Sequence, residues 1–314
     1  MLKNYFTIAL RHLAKHKLFS IINILCIAIG TTFSLLIGVY ILDQKSINHD
    51  LHNIDRQYVI RSKWKAKDMG MVETTMGPLA KTLKDHYPNL VANYFRINPV
   101  TNVVTAGDKH FKENIAICDT TLVSMYGFPL VAGDRNKAFT NSSSAVITEA
   151  MAIKLFGTTN AINKPITIST IGNGTQDYLV SAVLKEMSAN SVNQYLDADG
   201  YNVFIPFEGS HYYPGTDGAG DNSWNQIFMI SMIELQPGVS IPAVHRATTQ
   251  LLAQNLPNNL KGMLFPEFAS IKDYYLQNNN GAVHKMINTL SLVALFILLM
   301  AIINFVNISI GTAS

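Results

Sequence analysis

The sequence predicts an α+β membrane protein with two transmembrane helices flanking an extracytoplasmic domain. Two observations lead to this fold class. First, residues 18–42 and 286–310 form two runs of 25 residues that contain no Asp, Glu, Lys, Arg or His. Second, strand-like and helix-like patterns between them follow the order βαβ twice, on either side of a long segment of short strands. We therefore expect a split βαβ domain with an inserted, mostly-β lobe.

The two charge-free runs are long enough to cross a membrane, which needs about 20 apolar residues. The composition agrees, because 48% of the residues are hydrophobic and only 14% are charged. Two buried core helices are the alternative, but such helices rarely run so far without a charge. The first run also exceeds the apolar core of a cleaved signal peptide, about 7–15 residues. We predict uncleaved spans at 18–42 and 286–310.

The flanking charges give an orientation. Residues 1–42 contain four basic residues and no acidic one; they are Lys3, Arg11, Lys15 and Lys17. Because basic residues concentrate on the cytoplasmic side, the N-terminus is expected in the cytoplasm and residues 43–285 outside. The second span inherits its orientation, since no charged residue follows Ile310.

Residues 1–17 have the pattern of a basic amphipathic helix. Its polar face carries Arg11 and Lys15, and its apolar face carries Leu2, Phe6, Ala9, Leu10 and Leu13. Such a helix is expected to lie along the cytoplasmic headgroups. The simpler interpretation is an interfacial anchor. The alternative is a coupling element at a cytoplasmic interface formed by Arg11, Lys15 and Lys17.

Small residues recur along the first span at Gly30, Ser34 and Gly38. Small residues four positions apart let a second helix approach closely, so we predict a helix-packing seam there. Asn304 and Asn307 in the second span are expected to hydrogen-bond to neighbouring helices or to lie at headgroup level. The combined pattern indicates a larger helical bundle.

The outer region divides into two halves and an insertion. The first half, 43–99, contains the strand RQYVIRSKW, the helix MGPLAKTLKDHYPNL and the strand ANYFRIN. The second half, 223–285, contains the strand NQIFMISMIEL, the helix PGVSIPAVHRATTQLLAQNL and the strand LFPEFASIKDYY. Residues 100–222 are expected to form a lobe of short strands, which include KHFKENIAICD, SSAVITEAMAIKLFG, PITIST and DYLVSAVLKE.

No motif indicates catalysis. The sequence lacks a P-loop, HExxH, GxSxG and CxxC, and the two histidines of HDLH at 49–52 have no identifiable third metal ligand. DADG at 197–200 is a fragment of a calcium loop without the later Glu, so a turn is expected. Basic runs with interleaved aromatics are also missing, which argues against nucleic acid. We predict no catalytic, cofactor-binding or metal site; a membrane-anchored enzyme is the weakest alternative.

One segment, YGFPLVAGDRNKAFTNSSSAVITEAMAIKLFG, resembles the core of MacB-type periplasmic domains in FtsX-like ABC transporter permeases. The positions that match are Gly127, Phe128, Gly133, Asp134, Ala145 to Thr148, Ala152, Leu155, Phe156 and Gly157. The N-terminal segment, DYLVSAVLKEMSANS and ALFILLMAIINFVNIS are similar to further family segments in the same order. One departure is Asn163, where the family usually has Gly, and we expect it to alter that turn.

The resemblance implies a mechanical role in a bacterial inner membrane. Residues 43–99 and 223–285 would form a porter-like lobe, and residues 100–222 a sabre-like insertion. A separate cytoplasmic P-loop ATPase would bind the ATP, so this chain would carry no cofactor. Motions driven by that ATPase would pass through the membrane helices to the outer lobes, in mechanotransmission, export or efflux. Further permease helices, or a second permease copy, would be the partners within the bilayer.

The C-terminal end raises further alternatives. Family members continue beyond the second span, so residues 311–314 are expected to be a truncated tail and the chain the front part of a permease. A truncated product, a split subunit and a nonfunctional remnant all fit that expectation. The alternative from a different class is a two-span membrane-anchored binding or sensor protein.

Overall fold

The computed structural model describes residues 17–66, 70–186, 189–195, 199–208, 210, 212 and 222–311. The chain divides into two compact units, residues 1–46 with 276–314 and an outer domain of residues 47–275; the described part of the first unit is helical. The predicted amphipathic helix at 1–17 lies outside the described residues except for Lys17, as do residues 312–314 of the predicted tail.

Six helices are described: α1 (Lys17–Ser46), α2 (Leu79–His86), α3 (Leu122–Tyr126), α4 (Glu149–Phe156), α5 (Ile241–Asn255) and α6 (Ile271–Gly311). The described strands are β1 (Gln57–Trp64), β2 (Thr75–Met76), β3 (Val91–Ala106), β4 (Lys109–Cys118), β5 (Leu130–Gly133), β6 (Ser144–Thr148), β7 (Pro165–Ser169), β8 (Thr175–Leu184), β9 (Val203–Pro206), β10 (Ile227–Leu235) and β11 (Leu264–Ser270).

The first unit contains two stretches long and apolar enough to span a membrane. They cover Ser20–Ser46 in α1 and Asn280–Asn307 in α6. The predicted spans at 18–42 and 286–310 lie within these two helices, which extend further on the outer side. Most of their large apolar side chains are exposed in the isolated chain, as expected for surfaces that face lipid.

The strands of the outer domain form one sheet in the order β11-β1-β10-β3-β4-β9-β6-β8-β5; β2 pairs with β10, and β7 pairs with β3 and β8. At the β11 end of this sheet, each neighbouring pair through β4 is antiparallel. The connections β1-α2-β3 and β10-α5-β11 therefore join parallel strands with one strand between them. This interleaving is the ferredoxin-like split βαβ arrangement, and it confirms the predicted fold class.

Helices α2 and α5 cover one face of this half of the sheet. Successive residues of a strand point to opposite faces, and in β10 both faces are buried: Ile233 packs under the helices, while Met232 packs in the opposite core. Burial on both faces explains why β10 is a nearly continuous apolar run instead of an alternating one. A third core surrounds α4 in the insertion, with Ile147 and Met151 fully buried.

The structure corrects two local predictions. LFPEFASIKDYY is a strand only as far as Ser270, because α6 begins at Ile271. SSAVITEAMAIKLFG, read from its residues as a strand, is β6 followed by α4, in agreement with the family resemblance. Asn163 adopts φ +62°, a left-handed conformation that Asn tolerates better than most residues, and the expected change of this turn relative to the family stays a prediction.

The predicted boundary between the first half and the insertion falls inside one strand. The 16-residue β3 crosses residues 99 and 100 without a break; its first part pairs with β10, and its second part pairs with β4. The division into a porter-like and a sabre-like lobe therefore stays a prediction.

Candidate functional site: a junction of four chain segments

Asn48 joins the segment that enters the outer domain to the segment that leaves it. It lies two residues after α1, is 3% exposed, and has φ +75°. Its side-chain amide donates to the Oγ of Ser191, at 2.9 Å, and to the carbonyl oxygen of Ile271, at 2.6 Å. Its Oδ1 accepts the backbone N–H of Ser191 at 2.6 Å. Because Ile271 is the first residue of α6, one side chain connects both ends of the outer domain to the inserted lobe.

The segment that Asn48 holds is itself a tight turn. The Oδ1 of Asn190 accepts the backbone N–H groups of Val192, at 3.1 Å, and Asn193, at 2.8 Å. An Asn side chain that bonds the backbone two residues ahead stabilises a turn locally. Asn48 therefore contacts a preformed turn.

A second set of contacts centres on Glu73. Its carboxylate accepts hydrogen bonds from the hydroxyls of Tyr195 and of Tyr274, the latter at 3.3 Å, and pairs with Arg61 at 2.7 Å. The rings of Tyr195 and Tyr274 have centroids 4.8 Å apart. Tyr274 lies in the first turn of α6, so α6 again contacts the inserted lobe. We call Asn48, Glu73, Ser191, Tyr195, Ile271 and Tyr274 the junction.

Both junction tyrosines are protonated at neutral pH, and burial raises their pKa values further. Burial raises the pKa of Tyr274 to about 12 and the pKa of Tyr195 well above its usual value of 10. Both phenols are consequently hydrogen-bond donors to the Glu73 carboxylate at neutral pH. The Glu73 side chain therefore links a tyrosine of the inserted lobe to a tyrosine of α6.

An exposed ion pair lies near the same chain ends. The Nζ of Lys272 lies 2.6 Å from the Oδ1 of Asp55, and this hydrogen bond lowers the pKa of Asp55 and raises that of Lys272. Both side chains are exposed, at 39% and 76%, so water screens the attraction. The exposed pair therefore contributes little to stability compared with the buried hydrogen bonds of Asn48.

Two ion pairs involve buried charged side chains of strands β3 and β10. Arg96 makes a two-pronged contact with Asp119 at 2.8 and 2.9 Å and also donates to the carbonyl oxygen of Gly77. Glu234 pairs with Arg56 at 3.1 Å. The sequence analysis missed both pairs and the junction. The only signal was a charged residue inside each of the apolar strands β3 and β10.

The predicted motif residues Gly127 and Phe128 occupy the turn after α3. Gly127 ends the helix with φ +73°, and a Cβ added there would lie 2.5 Å from the ring of His52. Phe128 is 4% exposed. Arg135, which the sequence analysis did not single out, donates to the carbonyl oxygens of Val123 and Phe128 and holds this turn in place.

The other motif residues also shape turns and helix ends. A Cβ on Gly133 would lie 2.7 Å from the carbonyl oxygen of Ser181, and the Asp134 carboxylate accepts the N–H of Asn136 at 2.9 Å. Gly157 ends α4 with φ +71°, and the ring of Phe156 lies under the Lys164 ammonium at 4.9 Å. The glycines and Asp134 of the motif therefore set the backbone conformation of turns and helix ends.

The predicted seam residues fall into two groups. A Cβ added to Gly30 would lie 2.7 Å from the Cβ of Ala301, and the hydroxyl of Ser34 donates to the carbonyl oxygen of Ala294 at 3.1 Å. Both therefore contact the second membrane helix. At Gly38 an added Cβ would meet no described atom within 4 Å. Lys17, the one predicted interface residue that is described, is exposed at the start of α1.

We looked for metal ligands within the described residues. Among them, His, Cys, Asp and Glu side chains do not form a group of three or more that could hold a metal ion. The HDLH segment instead places His52 against Gly127. Cys118 is a buried free thiol and Cys26 is free in the first membrane helix.

These features define a class: a membrane protein whose extracytoplasmic α+β domain lies between two membrane helices. The sequence model of the MacB-like periplasmic core domain matches residues 20–251, and the chain belongs to this family. It is therefore a MacB-like periplasmic domain of an ABC transporter permease.

Solved structures share the fold. A domain described as part of a permease from Porphyromonas gingivalis matches with a TM-score of 0.55 at 17% identity, over 70% of this chain and 93% of that one. The periplasmic region of MacB from Actinobacillus actinomycetemcomitans matches with a TM-score of 0.50 at 13% identity, over 72% and 94%. No curated protein matches the sequence.

Proposed function

We propose that this chain is a permease-type subunit of a MacB/FtsX-like ABC transporter that transmits motion to its outer domain. A separate ATPase would hydrolyse ATP in the cytoplasm, and the two membrane helices would pass the resulting movement outward. The observation that carries this proposal is the buried side chain of Asn48, which bonds both the first residue of α6 and the inserted lobe. A movement of α1 or α6 would reach the turn at 190–193 directly.

The proposed location is a bacterial inner membrane with the N-terminus in the cytoplasm and residues 43–285 in the periplasm. The support is the charge distribution: residues 1–42 contain basic residues and no acidic one. Arg11, Lys15 and Lys17 would then lie on the side where an ATPase binds.

The proposed partners rest on two features, the missing P-loop in the sequence and the open helix surface at Gly38. The sequence has no P-loop, so we propose that a partner ATPase binds the ATP and that this chain is neither an enzyme nor a cofactor carrier. The open surface at Gly38 supports further permease helices or a second permease copy as partners in the bilayer.

Co-purification tests the partner. The full chain is crosslinked in native membranes, extracted in mild detergent and affinity-purified, and the retained proteins are identified by mass spectrometry. We expect a P-loop ATPase to be retained. Recovery of the chain alone, with and without crosslinking, would contradict the proposal.

Hydrogen exchange tests the coupling. In nanodiscs that contain the chain and its ATPase, we expect exchange of the backbone amides at 190–193 to change between the nucleotide-free and ATP-bound states. Asn48→Gly should retain ATPase binding and lose that change. The matched control is Asn136→Gly, which removes an Asn side chain from a turn outside the junction. An ATP-dependent change that persists in Asn48→Gly would show that coupling takes another route.

A further inference from the structure

A cavity of about 230 Å³ lies within the outer domain, next to the junction. Its floor is apolar and consists of Leu51, Tyr126 and Phe128, which are between 1% and 6% exposed. When an apolar ligand covers an apolar floor of this kind, water is released from both surfaces and the free energy falls.

The rim of the cavity is charged. It carries Asp50, Lys185 and Glu186, all of them exposed. The rim therefore holds two acidic side chains and one basic one. A ligand with a positive charge next to its apolar part is therefore favoured over a neutral or anionic one.

The walls are fixed by hydrogen bonds, so the cavity exists before a ligand arrives. The backbone N–H of His52 donates to the carbonyl oxygen of Tyr126 at 3.1 Å, and that of Lys185 donates to Pro129 at 2.8 Å. The backbone N–H of Glu186 donates to the Glu149 carboxylate at 3.1 Å. Preformed walls with an apolar floor and a few polar groups are the usual features of a small-molecule site.

The volume limits the size of the ligand. Benzene fits in a cavity of about 150 Å³, whereas drug-sized ligands occupy about 300–1,000 Å³. A cavity of about 230 Å³ accordingly admits one aromatic ring or one branched aliphatic group.

We propose that this cavity binds a single aromatic or branched aliphatic group that carries a nearby cationic amine. The apolar group contacts Leu51 and Phe128, and the amine lies at the rim beside Asp50 and Glu186. Such a group occurs in small arylalkylamines and also at the N-terminus of a polypeptide that begins with an apolar residue.

The cavity also adjoins the proposed coupling route. The N–H of Leu51 donates to the carbonyl oxygen of Asn48 at 3.2 Å, and Asn48 itself is part of the lining. A bound ligand therefore supports the same segment as the junction. This consequence rests on the proposed function, whereas the binding step does not.

Saturation-transfer NMR on the full chain in nanodiscs tests the binding step. The probes are phenethylamine, 2-phenylethanol, which has the same ring and no charge, and the peptide Phe-Gly-Gly. We expect phenethylamine to bind more tightly than 2-phenylethanol. Asp50→Asn and Glu186→Gln should each weaken amine binding by about two- to five-fold, as expected for a partly solvated charge pair, and leave 2-phenylethanol unaffected. The matched control is Asp85→Asn, on α2, which should change neither.

The arms of this experiment separate the outcomes. Binding of phenethylamine alone supports a small amine as the ligand, and equal or tighter binding of Phe-Gly-Gly supports a polypeptide N-terminus. Either absence of saturation transfer from all three probes or amine binding that neither rim variant weakens would overturn the proposal. Both overturning results would leave the ATPase experiment above unaffected, so the two proposals fail separately.

Discussion

The Nδ2 of Asn48 lies 2.6 Å from the carbonyl oxygen of Ile271, although 223 positions separate the two residues in the chain. The bond closes the outer domain at the point where both membrane helices meet it in sequence. Since the same side chain also makes two bonds to Ser191, its loss would affect three chain segments at once.

Replacement of Asn48 should destabilise the outer domain. Asn48→Ala leaves buried groups of Ser191 and Ile271 without partners, and we expect the free energy of unfolding to fall by about 2–4 kcal/mol. Asn48→Gly should cost about 1 kcal/mol less, because glycine accepts the left-handed backbone at φ +75° without strain. Urea unfolding followed by tryptophan fluorescence measures this, since both tryptophans, Trp64 and Trp224, lie in the outer domain. Unchanged urea midpoints would contradict the importance of Asn48.

The buried pair between Arg96 and Asp119 should contribute far more than an exposed one. Asp119→Asn leaves a guanidinium that is 3% exposed without its counter-charge, and we expect a loss of about 3–5 kcal/mol in the same urea experiment. The matched control is Asp85→Asn, which breaks the exposed pair with Lys81 and should cost less than about 0.5 kcal/mol. Equal effects of the two changes would show that burial does not determine the contribution.

The membrane helices and most outer elements could be predicted because their signals are local. A charge-free run of 25 residues is by itself long and apolar enough to span a bilayer. The end of β11 was predicted wrongly for a related reason. Tyr274 and Tyr275 favour strands locally, yet no Gly or Pro interrupts the chain between Ile271 and Asn280, and the long helix continues through both tyrosines.

The junction could not be predicted, because its residues come together only in the folded chain. Asn48 and Ser191 are 143 positions apart, and each is a common surface residue when read alone. The glycines of the family motif were recognised in the sequence, but the contacts that require a glycine at each position could not be read from it. Only the structure shows that Gly127 faces the ring of His52.

Stability should fall at alkaline pH in a way that depends on Tyr274. In the unfolded chain a tyrosine ionises near pH 10, whereas the folded pKa of Tyr274 is about 12. Above pH 10 the unfolded state thus binds fewer protons, so this contribution is complete below pH 10 and is lost as pH rises towards 12. We expect a loss of about 2–3 kcal/mol from this residue.

Tyr274→Phe should flatten that part of the pH profile. Urea midpoints measured between pH 8 and pH 12 give the slope, and the matched control is Tyr87→Phe, whose hydroxyl bonds Gln250 at an exposed position. The profile keeps some slope in Tyr274→Phe, because burial also raises the pKa values of Tyr126, Tyr178 and Tyr195. Identical slopes in the native chain and Tyr274→Phe would rule out the contribution.

The two glycines of the first membrane helix should respond differently to a large side chain. Gly30→Leu collides with Ala301, since even a Cβ would approach the Ala301 Cβ to 2.7 Å, and the two helices should separate. Gly38→Leu is the matched control, because an added Cβ has no described neighbour within 4 Å. Spin labels at Leu25 and Ile302, in a Cys26→Ala background, report the helix separation in nanodiscs by pulsed EPR.

For the helix pair, we expect a longer and broader distance distribution in Gly30→Leu alone. The urea midpoint of the outer domain should not change, because neither glycine belongs to that domain. A native distance distribution in Gly30→Leu would show that Gly30 is not required for the contact. A shift in Gly38→Leu would instead reveal a neighbour of Gly38.

Gly127 should be sensitive for two separable reasons, backbone conformation and lack of space. Gly157 shares only the first, since it has φ +71° and an added Cβ there has no described atom within 4 Å. Gly157→Ala should therefore cost about 1 kcal/mol, the strain of a left-handed alanine. Gly127→Ala adds an overlap with the His52 ring, for a total of about 2–4 kcal/mol.

Removal of the His52 ring isolates the steric part. In the double variant Gly127→Ala/His52→Ala we expect the cost, relative to His52→Ala alone, to return to about 1 kcal/mol, which matches Gly157→Ala. The urea midpoints of the four variants give this coupling directly. If the cost of Gly127→Ala is the same with and without His52, the ring moves aside freely and the glycine is required for its backbone conformation alone.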